Sequence, residues 1–417
     1  MEKFIVRGEV QLKGSIAISG AKNAALPVMA ATLLCSGTSI IDNVPLLRDI
    51  AIMQEILTLL GARVTRQGTS LLIDTSGVNK AEIPENLMRE MRASVFLMGP
   101  LLGRFRQVRL SYPGGCAIGP RPINLHIKAL EKIGATVTES FGYISSAAAD
   151  LTGGEIHLDF PSVGATENAM MAAALARGTT VIRNAAREPE VVDLQQFLNR
   201  MGARIGGAGT DTIRIDGVNV LKPAEYTIIP DRIEAGTFLL AGAMTQGDVT
   251  VEAVCPEHLF PVIDKLQEMG ASVACGTSSV RIRAGDLRGV DIKTLPYPGF
   301  PTDLQAPMLS MLSIAKGTSI ITETIFENRF KHVDEMSRMG ARIKVEGRTA
   351  VIRGVPRLTG ASVAAPDLRA GAALVLAALS AEGASEIEHV FHIDRGYERF
   401  EHKLALLGAS VTRQPGK

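Results

Sequence analysis

Uncharged runs recur along the chain in a fixed order with segments of mixed polarity. A helix that is apolar on every side belongs inside a protein, so we expect six buried helices. Each run precedes a turn and a β-rich segment, such as GTSIIDNV at 37–44, and then an amphipathic helix, such as PVIDKLQEM at 261–269. The uncharged runs are residues 24–34, 93–102, 168–176, 235–244, 306–315 and 370–380.

A short phrase closes each amphipathic segment. The pattern Leu/Met/Ile-Gly-Ala-x-Val/Ile places glycines at 61, 134, 202, 270, 340 and 408, at intervals of 68 to 73 residues. Glycine commonly ends a helix because it adopts the left-handed conformation without a Cβ clash. The chain therefore consists of six repeats of one unit, and stacking such units builds a continuous core.

The repeat predicts an α/β architecture with helices inside and sheets outside. Because single hydrophobic cores stop growing at roughly 250 to 300 residues, the 417-residue chain is expected to form more than one domain. We predict two lobes of three repeats, joined near VLKPAEYTIIPDR at 220–232, with a ligand-binding cleft between them.

The amino-acid composition argues against nucleic acid and anionic lipid as binding partners. Lys and Arg number 44 against 43 acidic residues, so the net charge of +1 provides no field for nucleic acid or anionic lipid. The opening MEKFIVRGEVQLKG has no apolar h-region of a signal peptide, and no CxxC pair occurs. We expect a cytoplasmic protein. The sequence leaves the oligomeric state open.

Polar motifs stand immediately before the buried helices. Helix N-termini carry unpaired N–H groups and partial positive charge, so several of them facing one cleft would receive phosphate or carboxylate. Asn23, Asp303 and Asp367 could alternatively be ordinary N-caps. The motifs are GAKN at 20–23, EMRAS at 90–94, SVGATEN at 162–168, PDRIE at 230–234, FPTD at 300–303 and APDLR at 365–369, with cations at Lys22, Arg92, Arg232 and Arg369.

The second repeat carries a distinctive loop, SYPGGCAIGPRPINLH at 111–126. Paired glycines give conformational freedom and the prolines stiffen the flanks, which favours a lid. Arg121 follows Cys116 closely, and nearby positive charge lowers a thiol pKa, so Cys116 is predicted to be a proton donor or a nucleophile. Cys35, Cys255 and Cys275 are predicted to be structural.

Several motifs together resemble the UDP-N-acetylglucosamine enolpyruvyl transferase family, from the first strand to the last repeat. The loop containing Cys116 is the most specific of them. They are SGAKNAALP at 19–27, MRAS at 91–94, PGGCAIGPRPINLH at 113–126, SVGAT at 162–166, PDRIEAGTF at 230–238, PTDLQAP at 301–307, ETIFENRF at 323–330, DLRAG at 367–371 and HIDRGYERFEHKL at 392–404.

The resemblance implies an inside-out α/β barrel, with residues 22–229 as lobe one and residues 1–21 plus 230–417 as lobe two. It implies transfer of the enolpyruvyl group of phosphoenolpyruvate to the 3′-hydroxyl of UDP-N-acetylglucosamine through a tetrahedral ketal, with release of phosphate and without a metal or organic cofactor. This is the first committed step of peptidoglycan precursor synthesis. It also implies inactivation by the epoxide fosfomycin through Cys116.

The resemblance further implies roles for individual residues. Cys116 is expected to be the general acid and Asp303 the base, with Lys22 and Arg395 completing the catalytic set. Arg48 stands where relatives often carry Lys, and Asn124 stands where they typically carry Asp. The substrate-binding residues implied are Lys22, Asn23, Arg48, Arg92, Arg121, Pro122, Ile123, Asn124, Leu125, Ser162, Val163, Gly164, Asp303, Ile325, Arg329, Asp367, Arg369 and Arg395.

Two alternative functions compete with this interpretation. The shikimate-pathway enolpyruvyl transferase would share the fold and the donor, but that family does not depend on a thiol in this loop. A non-catalytic paralogue that only binds a nucleotide sugar would be favoured by loss of Cys116, Lys22 or Arg395. All three are present.

Overall fold

The structure is a computed structural model and describes residues 2–112 and 123–415. Short 3₁₀ helices occur at Thr32–Leu34, Arg92–Leu97, Pro256–Leu259, Thr302–Leu304 and Val390–Arg395. The α-helices are α1 (Lys22–Ala31), α2 (Arg48–Leu59), α3 (Glu85–Glu90), α4 (Met98–Phe105), α5 (Asn124–Lys132), α6 (Val163–Ala173), α7 (Pro189–Arg200), α8 (Arg232–Met244), α9 (Phe260–Glu268), α10 (Gln305–Leu312), α11 (Val333–Arg338), α12 (Leu368–Ser380) and α13 (Phe400–Leu406).

The strands are short, mostly of two to six residues. They are β1 (Glu2–Arg7), β2 (Lys13–Ala17), β3 (Thr38–Asp42), β4 (Arg63–Gln67), β5 (Ser70–Asp74), β6 (Glu82–Ile83), β7 (Gln107–Ser111), β8 (Thr136–Ser140), β9 (Tyr143–Ala147), β10 (Glu155–His157), β11 (Thr179–Arg183), β12 (Arg204–Gly206), β13 (Thr212–Asp216), β14 (Glu225–Thr227), β15 (Asp248–Glu252), β16 (Ser272–Cys275), β17 (Ser279–Arg283), β18 (Ile292–Lys293), β19 (Thr318–Thr322), β20 (Arg342–Glu346), β21 (Thr349–Arg353), β22 (Ser362–Ala364), β23 (Ala384–Glu388) and β24 (Ser410–Pro415).

The described chain divides into two compact lobes, each with its own apolar core. Lobe one comprises residues 20–112 and 123–229, and lobe two comprises residues 2–19 and 230–415. The chain passes from one lobe to the other between Ser19 and Gly20 and again between Ile229 and Pro230.

The described part of each lobe holds three four-stranded sheets of one topology. In every sheet a parallel pair is followed by two antiparallel neighbours. Lobe one has the orders β14-β3-β5-β4, β6-β7-β9-β8 and β10-β11-β13-β12; lobe two has β2-β15-β17-β16, β18-β19-β21-β20 and β22-β23-β1-β24. The structure is therefore a mixed α/β fold of many small sheets.

Strands from distant parts of the chain pair within each lobe. In lobe one, β14 pairs in parallel with β3 in the register Glu225↔Ile40. In lobe two, β1 lies between β23 and β24, and Phe4 faces Ile387 on one side and Arg413 on the other. The first strand thus completes the last repeat.

The uncharged runs form the helices that the pattern predicted, and these are the buried ones. Every residue of α8 from Ile233 to Met244 is buried, and α10 and α12 are buried in the same way. In lobe one, α4 and α6 pack together, as α10 and α12 do in lobe two. The amphipathic helices α2, α5, α7, α9, α11 and α13 lie between these helices and solvent, with exposed and buried faces.

The repeated glycines end the amphipathic helices for a conformational reason. Gly61 has φ of 108° and Gly202 has φ of 104°, and the other four lie between 88° and 104°. An L-residue with a side chain rarely adopts such backbone angles. The glycine in the repeated phrase is therefore required by the turn into the next strand.

The structure excludes two of the alternative N-caps and contradicts one prediction about a cysteine. Asn23 does not cap α1, because the helix begins at Lys22 and its N-cap is Ala21. Asp303 lies inside the 3₁₀ helix Thr302–Leu304, whose N-cap is Pro301. Cys275, predicted to be structural, is exposed because it ends the edge strand β16, whereas Cys35 is buried as expected.

Candidate active site

Asp303 lies between two arginines in lobe two. Its Oδ1 is 2.7 Å from Nη2 of Arg329, and its Oδ2 accepts from Nε and Nη2 of Arg369 at 3.1 and 3.0 Å. Both arginine side chains are only 3% exposed, whereas Asp303 is 25% exposed. The structure thus brings together three of the residues that the sequence predicted for the site.

Each of these arginines has one N–H group without an acceptor in the part of the chain that the structure describes. Nε of Arg329 and Nη1 of Arg369 are buried without a hydrogen-bond partner. Burial is the largest single influence and lowers the pKa of Arg369, but Asp303, Tyr397 and Asp231 together outweigh burial, so the pKa is raised. The Arg369 guanidinium also stacks 5.2 Å from the ring centroid of Tyr397. Two buried guanidinium groups therefore each have an N–H group available to donate to a ligand, and recognition of an anion requires such donors.

Arg369 is placed by the cap of α12. The carboxylate of Asp367 accepts hydrogen bonds from the backbone N–H groups of Arg369 and Ala370 at 2.9 and 3.0 Å. Asp367 is therefore an N-cap, as its position before the helix predicted. The cap fixes the first turn, and the first turn carries the arginine that holds Asp303.

Arg395 ends the 3₁₀ helix Val390–Arg395 and is half-buried. Its neighbour Asp394 is held by Arg413, whose Nη1 and Nη2 lie 3.0 and 2.6 Å from the two carboxylate oxygens. Arg413 also binds Glu401 through Nε at 2.9 Å. This network anchors the short helix that carries Arg395 to strand β24.

Lys22 forms a buried ion pair in lobe one. Its Nζ lies 3.0 Å from Oδ2 of Asp49, and the two side chains are 10% and 4% exposed. Asn23 follows in the first turn of α1 and is half-buried. Arg48 lies at the start of α2, where its Nη2 pairs with Glu90 at 2.7 Å on the exposed surface.

The predicted nucleotide-sugar residues of lobe one lie at the starts of two helices that pack together. Ile123, Asn124 and Leu125 begin α5, and Ser162, Val163 and Gly164 begin α6. The Ser162 hydroxyl caps α6 by accepting from the backbone N–H of Ala165 at 3.4 Å.

His126 locks these two helix starts together. Its Nδ1 lies 2.7 Å from Nδ2 of Asn168 on α6, and the same amide donates to the carbonyl of Val95 at 3.0 Å. A Cβ added at Gly164 would lie 2.9 Å from Cε1 of His126, closer than van der Waals contact allows. The glycine is therefore needed for the close approach of α6 to the buried histidine.

Some predicted residues have no described side chain. Cys116, Arg121 and Pro122 lie outside the described residues. Arg92 begins the 3₁₀ helix Arg92–Leu97.

Ile325, the remaining residue predicted to contact the nucleotide sugar, lies half-buried in the turn that follows β19.

Sequence reasoning missed two acidic partners. Asp49 balances Lys22, and Glu323 accepts four hydrogen bonds in the turn that carries Ile325. Asp49 gave a weak signal as the acidic residue of the first turn of α2. Glu323 stood inside the motif ETIFENRF, but nothing in the sequence showed that its side chain is buried.

Within residues 2–112 and 123–415, no group of three or more His, Cys, Asp or Glu side chains is arranged to hold a metal ion. Over the same residues, none of the helices combines the length and the apolar character that a membrane span requires.

The fold matches solved enolpyruvyl transferases. The enolpyruvyl transferase NikO from Streptomyces tendae superposes with a TM-score of 0.90 at 27% identity, over 100% of this chain and 99% of that one. EPSP synthase from Acinetobacter baumannii superposes with a TM-score of 0.76 at 17% identity and shares the fold. Residues 6–404 match the family EPSP synthase (3-phosphoshikimate 1-carboxyvinyltransferase). The class is therefore that of the carboxyvinyl, or enolpyruvyl, transferases.

Curated relatives narrow the class. UDP-N-acetylglucosamine 1-carboxyvinyltransferase 1 of Symbiobacterium thermophilum is 59% identical over 99% of this chain and 95% of its own. UDP-N-acetylglucosamine 1-carboxyvinyltransferase 2 of Caldanaerobacter subterraneus subsp. tengcongensis is 56% identical over 99% of this chain and 100% of its own. The chain belongs to the UDP-N-acetylglucosamine 1-carboxyvinyltransferase family, which confirms the resemblance drawn from its motifs.

Proposed function

We propose that this protein transfers the enolpyruvyl group of phosphoenolpyruvate to the 3′-hydroxyl of UDP-N-acetylglucosamine and releases phosphate. The observation that carries the proposal is the 59% identity, over almost the full length of both chains, to a relative named for this acceptor. The reaction is the first committed step of peptidoglycan precursor synthesis.

The buried arginines of lobe two support an anionic donor. Phosphoenolpyruvate carries a phosphate and a carboxylate, and planar guanidinium groups bind such anions through paired hydrogen bonds. Nε of Arg329 and Nη1 of Arg369 are buried N–H groups without an acceptor among residues 2–112 and 123–415. We assign them to the donor substrate, together with Lys22, Asn23, Arg48, Arg121 and Arg395.

The proposed chemistry needs two opposed proton transfers. Cys116 adds a proton at C3 of the enol, and Asp303 takes the proton of the 3′-hydroxyl as the sugar oxygen attacks C2. In the elimination that follows, a proton is removed from C3, the C2–C3 double bond re-forms, and the C2–O bond to phosphate breaks, so phosphate leaves while the new bond to the sugar oxygen stays. Because both oxygens of Asp303 contact guanidinium groups, we propose that arrival of the anionic donor draws those cations away and leaves the carboxylate freer to accept a proton.

The nucleotide sugar is assigned to both lobes by the same resemblance. In lobe one, the helix starts locked by His126 provide N–H groups for a phosphate. Asn124 replaces the usual carboxylate, which removes a charge and adds a donor while keeping an acceptor. The proposed contacts are Arg92, Arg121, Pro122, Ile123, Asn124, Leu125, Ser162, Val163, Gly164, Asp303 and Ile325.

We also propose the finer architecture implied by the resemblance, an inside-out α/β barrel of three repeats per lobe. Three sheets and three buried helices in the described part of each lobe support it. A cytoplasmic location is proposed from the substrate, since nucleotide sugars are made in that compartment, and from the absence of CxxC pairs in the sequence.

A phosphate-release assay tests the function directly. The purified chain is mixed with phosphoenolpyruvate and either UDP-N-acetylglucosamine or shikimate 3-phosphate. We expect phosphate release with the nucleotide sugar only. Release with shikimate 3-phosphate would instead support the shikimate-pathway activity, and binding without release would support a non-catalytic paralogue.

A further inference from the structure

Glu323 is a fully buried carboxylate in lobe two with four hydrogen-bond donors around it. Its Oε1 accepts from the backbone N–H groups of Ile325 and Phe326 at 2.7 and 3.1 Å, and from the hydroxyl of Thr294 at 2.8 Å. Its Oε2 accepts from the hydroxyl of Thr302 at 2.8 Å. All four partners donate, so the side chain acts only as an acceptor.

The two oxygens of this carboxylate reach two different segments of the candidate site. Oε1 holds the turn that carries Ile325, whereas Oε2 holds Thr302, the residue before Asp303. The carbonyl of Thr302 in turn accepts from Nη2 of Arg329 at 3.3 Å. A single buried group therefore sets the distance between the Ile325 turn and the Asp303 carboxylate.

Thr294 strengthens the same arrangement from the end of β18. Its hydroxyl accepts from the backbone N–H of Thr324 at 2.9 Å, and its carbonyl accepts from the Thr324 hydroxyl at 2.6 Å. The turn is thereby held at three consecutive residues, 324 to 326. Such a buried and fully satisfied network has one geometry, because any displaced member would leave a donor without a partner.

We propose that Glu323 is a positioning residue that aligns the Ile325 turn with Asp303, so that the acceptor sugar meets its base in register. The inference rests on the proposed function and deepens it. Glu323 does not touch substrate and acts through Ile325 and Asp303. Because misplacement of a reacting group by about 1 Å can lower a rate by about 100-fold, removal of this carboxylate should be visible in turnover.

The test compares four full-length variants by steady-state phosphate release and by binding of UDP-N-acetylglucosamine. Glu323→Ala removes all four acceptor contacts. We expect kcat to fall by about 10- to 100-fold and the Kd for the nucleotide sugar to rise by about 10-fold. The KM for phosphoenolpyruvate should change by less than about 3-fold, because the buried arginines remain in place.

Glu323→Gln is the conservative variant. Its carbonyl oxygen can still accept from the turn, and its amide can donate to the Thr302 hydroxyl once that hydroxyl rotates. We expect it to retain kcat and KM within about 3-fold of the parent. Thr302→Val removes only the link to Asp303 and should lower kcat while leaving binding of the sugar nearly unchanged.

Thr245→Val is the matched control for loss of a buried hydroxyl in the same lobe. The Thr245 hydroxyl donates to Ala241 on α8 and accepts from Leu12, away from the site. Its kcat and both KM values should equal those of the parent.

The outcomes separate the inference from the function on which it rests. A parent protein that releases no phosphate overturns the proposed function. An active parent with Glu323→Ala unchanged in kcat and KM per folded molecule overturns the positioning role. The same holds if Glu323→Gln is as impaired as Glu323→Ala, or if the Thr245→Val control is equally impaired.

Discussion

Nζ of Lys22 lies 3.0 Å from Oδ2 of Asp49, and both side chains are almost completely buried. Breaking a buried pair by removing one partner leaves an uncompensated charge, which typically costs about 3–5 kcal/mol. We predict that Asp49→Asn destabilises lobe one by an amount of this order, as measured by denaturant unfolding with hydrogen exchange of lobe-one peptides. Lys22→Met should lose phosphoenolpyruvate binding as well.

The exposed pair between Lys128 and Asp159 provides the control for this prediction. Its Nζ–Oδ2 distance is also 3.0 Å, but the side chains are 61% and 67% exposed. Surface ion pairs contribute little because solvent screens them. Lys128→Met should leave the unfolding midpoint unchanged. If Lys128→Met destabilised lobe one as much as Asp49→Asn does, burial of the ion pair would not explain its importance.

Cys116 is predicted to be the proton donor, although it lies outside the described residues. Cys116→Ser replaces a thiol by a much weaker acid, so turnover should fall by about 100-fold or more while the circular dichroism spectrum stays unchanged. An epoxide phosphonate should alkylate the parent at this residue alone. An adduct on another cysteine, such as the exposed Cys275, would show that the assignment is wrong, and intact-mass and peptide mass spectrometry would detect it.

Asp193 on α7 is expected to make lobe one less stable as the pH rises. Burial raises its pKa to about 7, while the hydroxyl of Tyr226 donates to its Oδ1 at 2.6 Å. The unfolded side chain has a pKa of about 3.9, so between these values the folded chain binds the extra proton. This group's contribution is therefore complete below about pH 4 and is lost as the pH rises through 7.

Asp193→Asn keeps the acceptor for Tyr226 and removes the charge. It should stabilise lobe one at pH 8 by about 2–4 kcal/mol, and this gain should disappear near pH 4. Denaturant unfolding at both pH values measures the difference. Asp264→Asn, at an exposed position of α9, serves as the control and should show no such dependence. A gain that is independent of pH would contradict a titrating Asp193.

The sequence predicted most of the secondary structure because the same pattern of apolar and polar residues recurs in all six repeats. The segment 37–44 contains β3 and the segment 178–185 contains β11, each a strand inside its sheet, and the uncharged runs are the buried helices. The pairing of β1 with β23 and β24 could not be predicted from periodicity. It joins segments about 380 and about 410 residues apart, and no local pattern encodes such contacts.

The sequence predicted the cationic side chains of the candidate site, but it did not predict which acidic side chains pair with them. Arg369 and Arg329 were found from motifs, whereas the acceptor of Lys22 lies 27 positions further along the chain. Burial decides whether such an acidic residue is a solvated side chain or a counter-ion, and burial is a property of the packed structure. For the same reason the hydrogen bonds of Glu323 were visible only in three dimensions.

Substitution of Asp303 should separate the binding of phosphoenolpyruvate from its conversion to product. In Asp303→Ala, the buried guanidinium groups of Arg329 and Arg369 lose the carboxylate that balances them, so the apo protein should be less stable. Those two charges then become fully available to an added anion. Phosphoenolpyruvate, or inorganic phosphate as a probe, should therefore raise the Tm of the variant by more than it raises that of the parent.

Turnover of Asp303→Ala should be lost, since no carboxylate remains to take the proton of the sugar hydroxyl. The variant would thus bind the donor at least as tightly as the parent and yet release no phosphate. Asp303→Asn keeps an acceptor for the arginines and lacks the charge, so it should be equally inactive but closer to the parent in stability. If Asp303→Ala instead lost the stabilisation by phosphate, the arginines would depend on Asp303 for their placement, and its assignment as a base competing with the donor for them would be wrong.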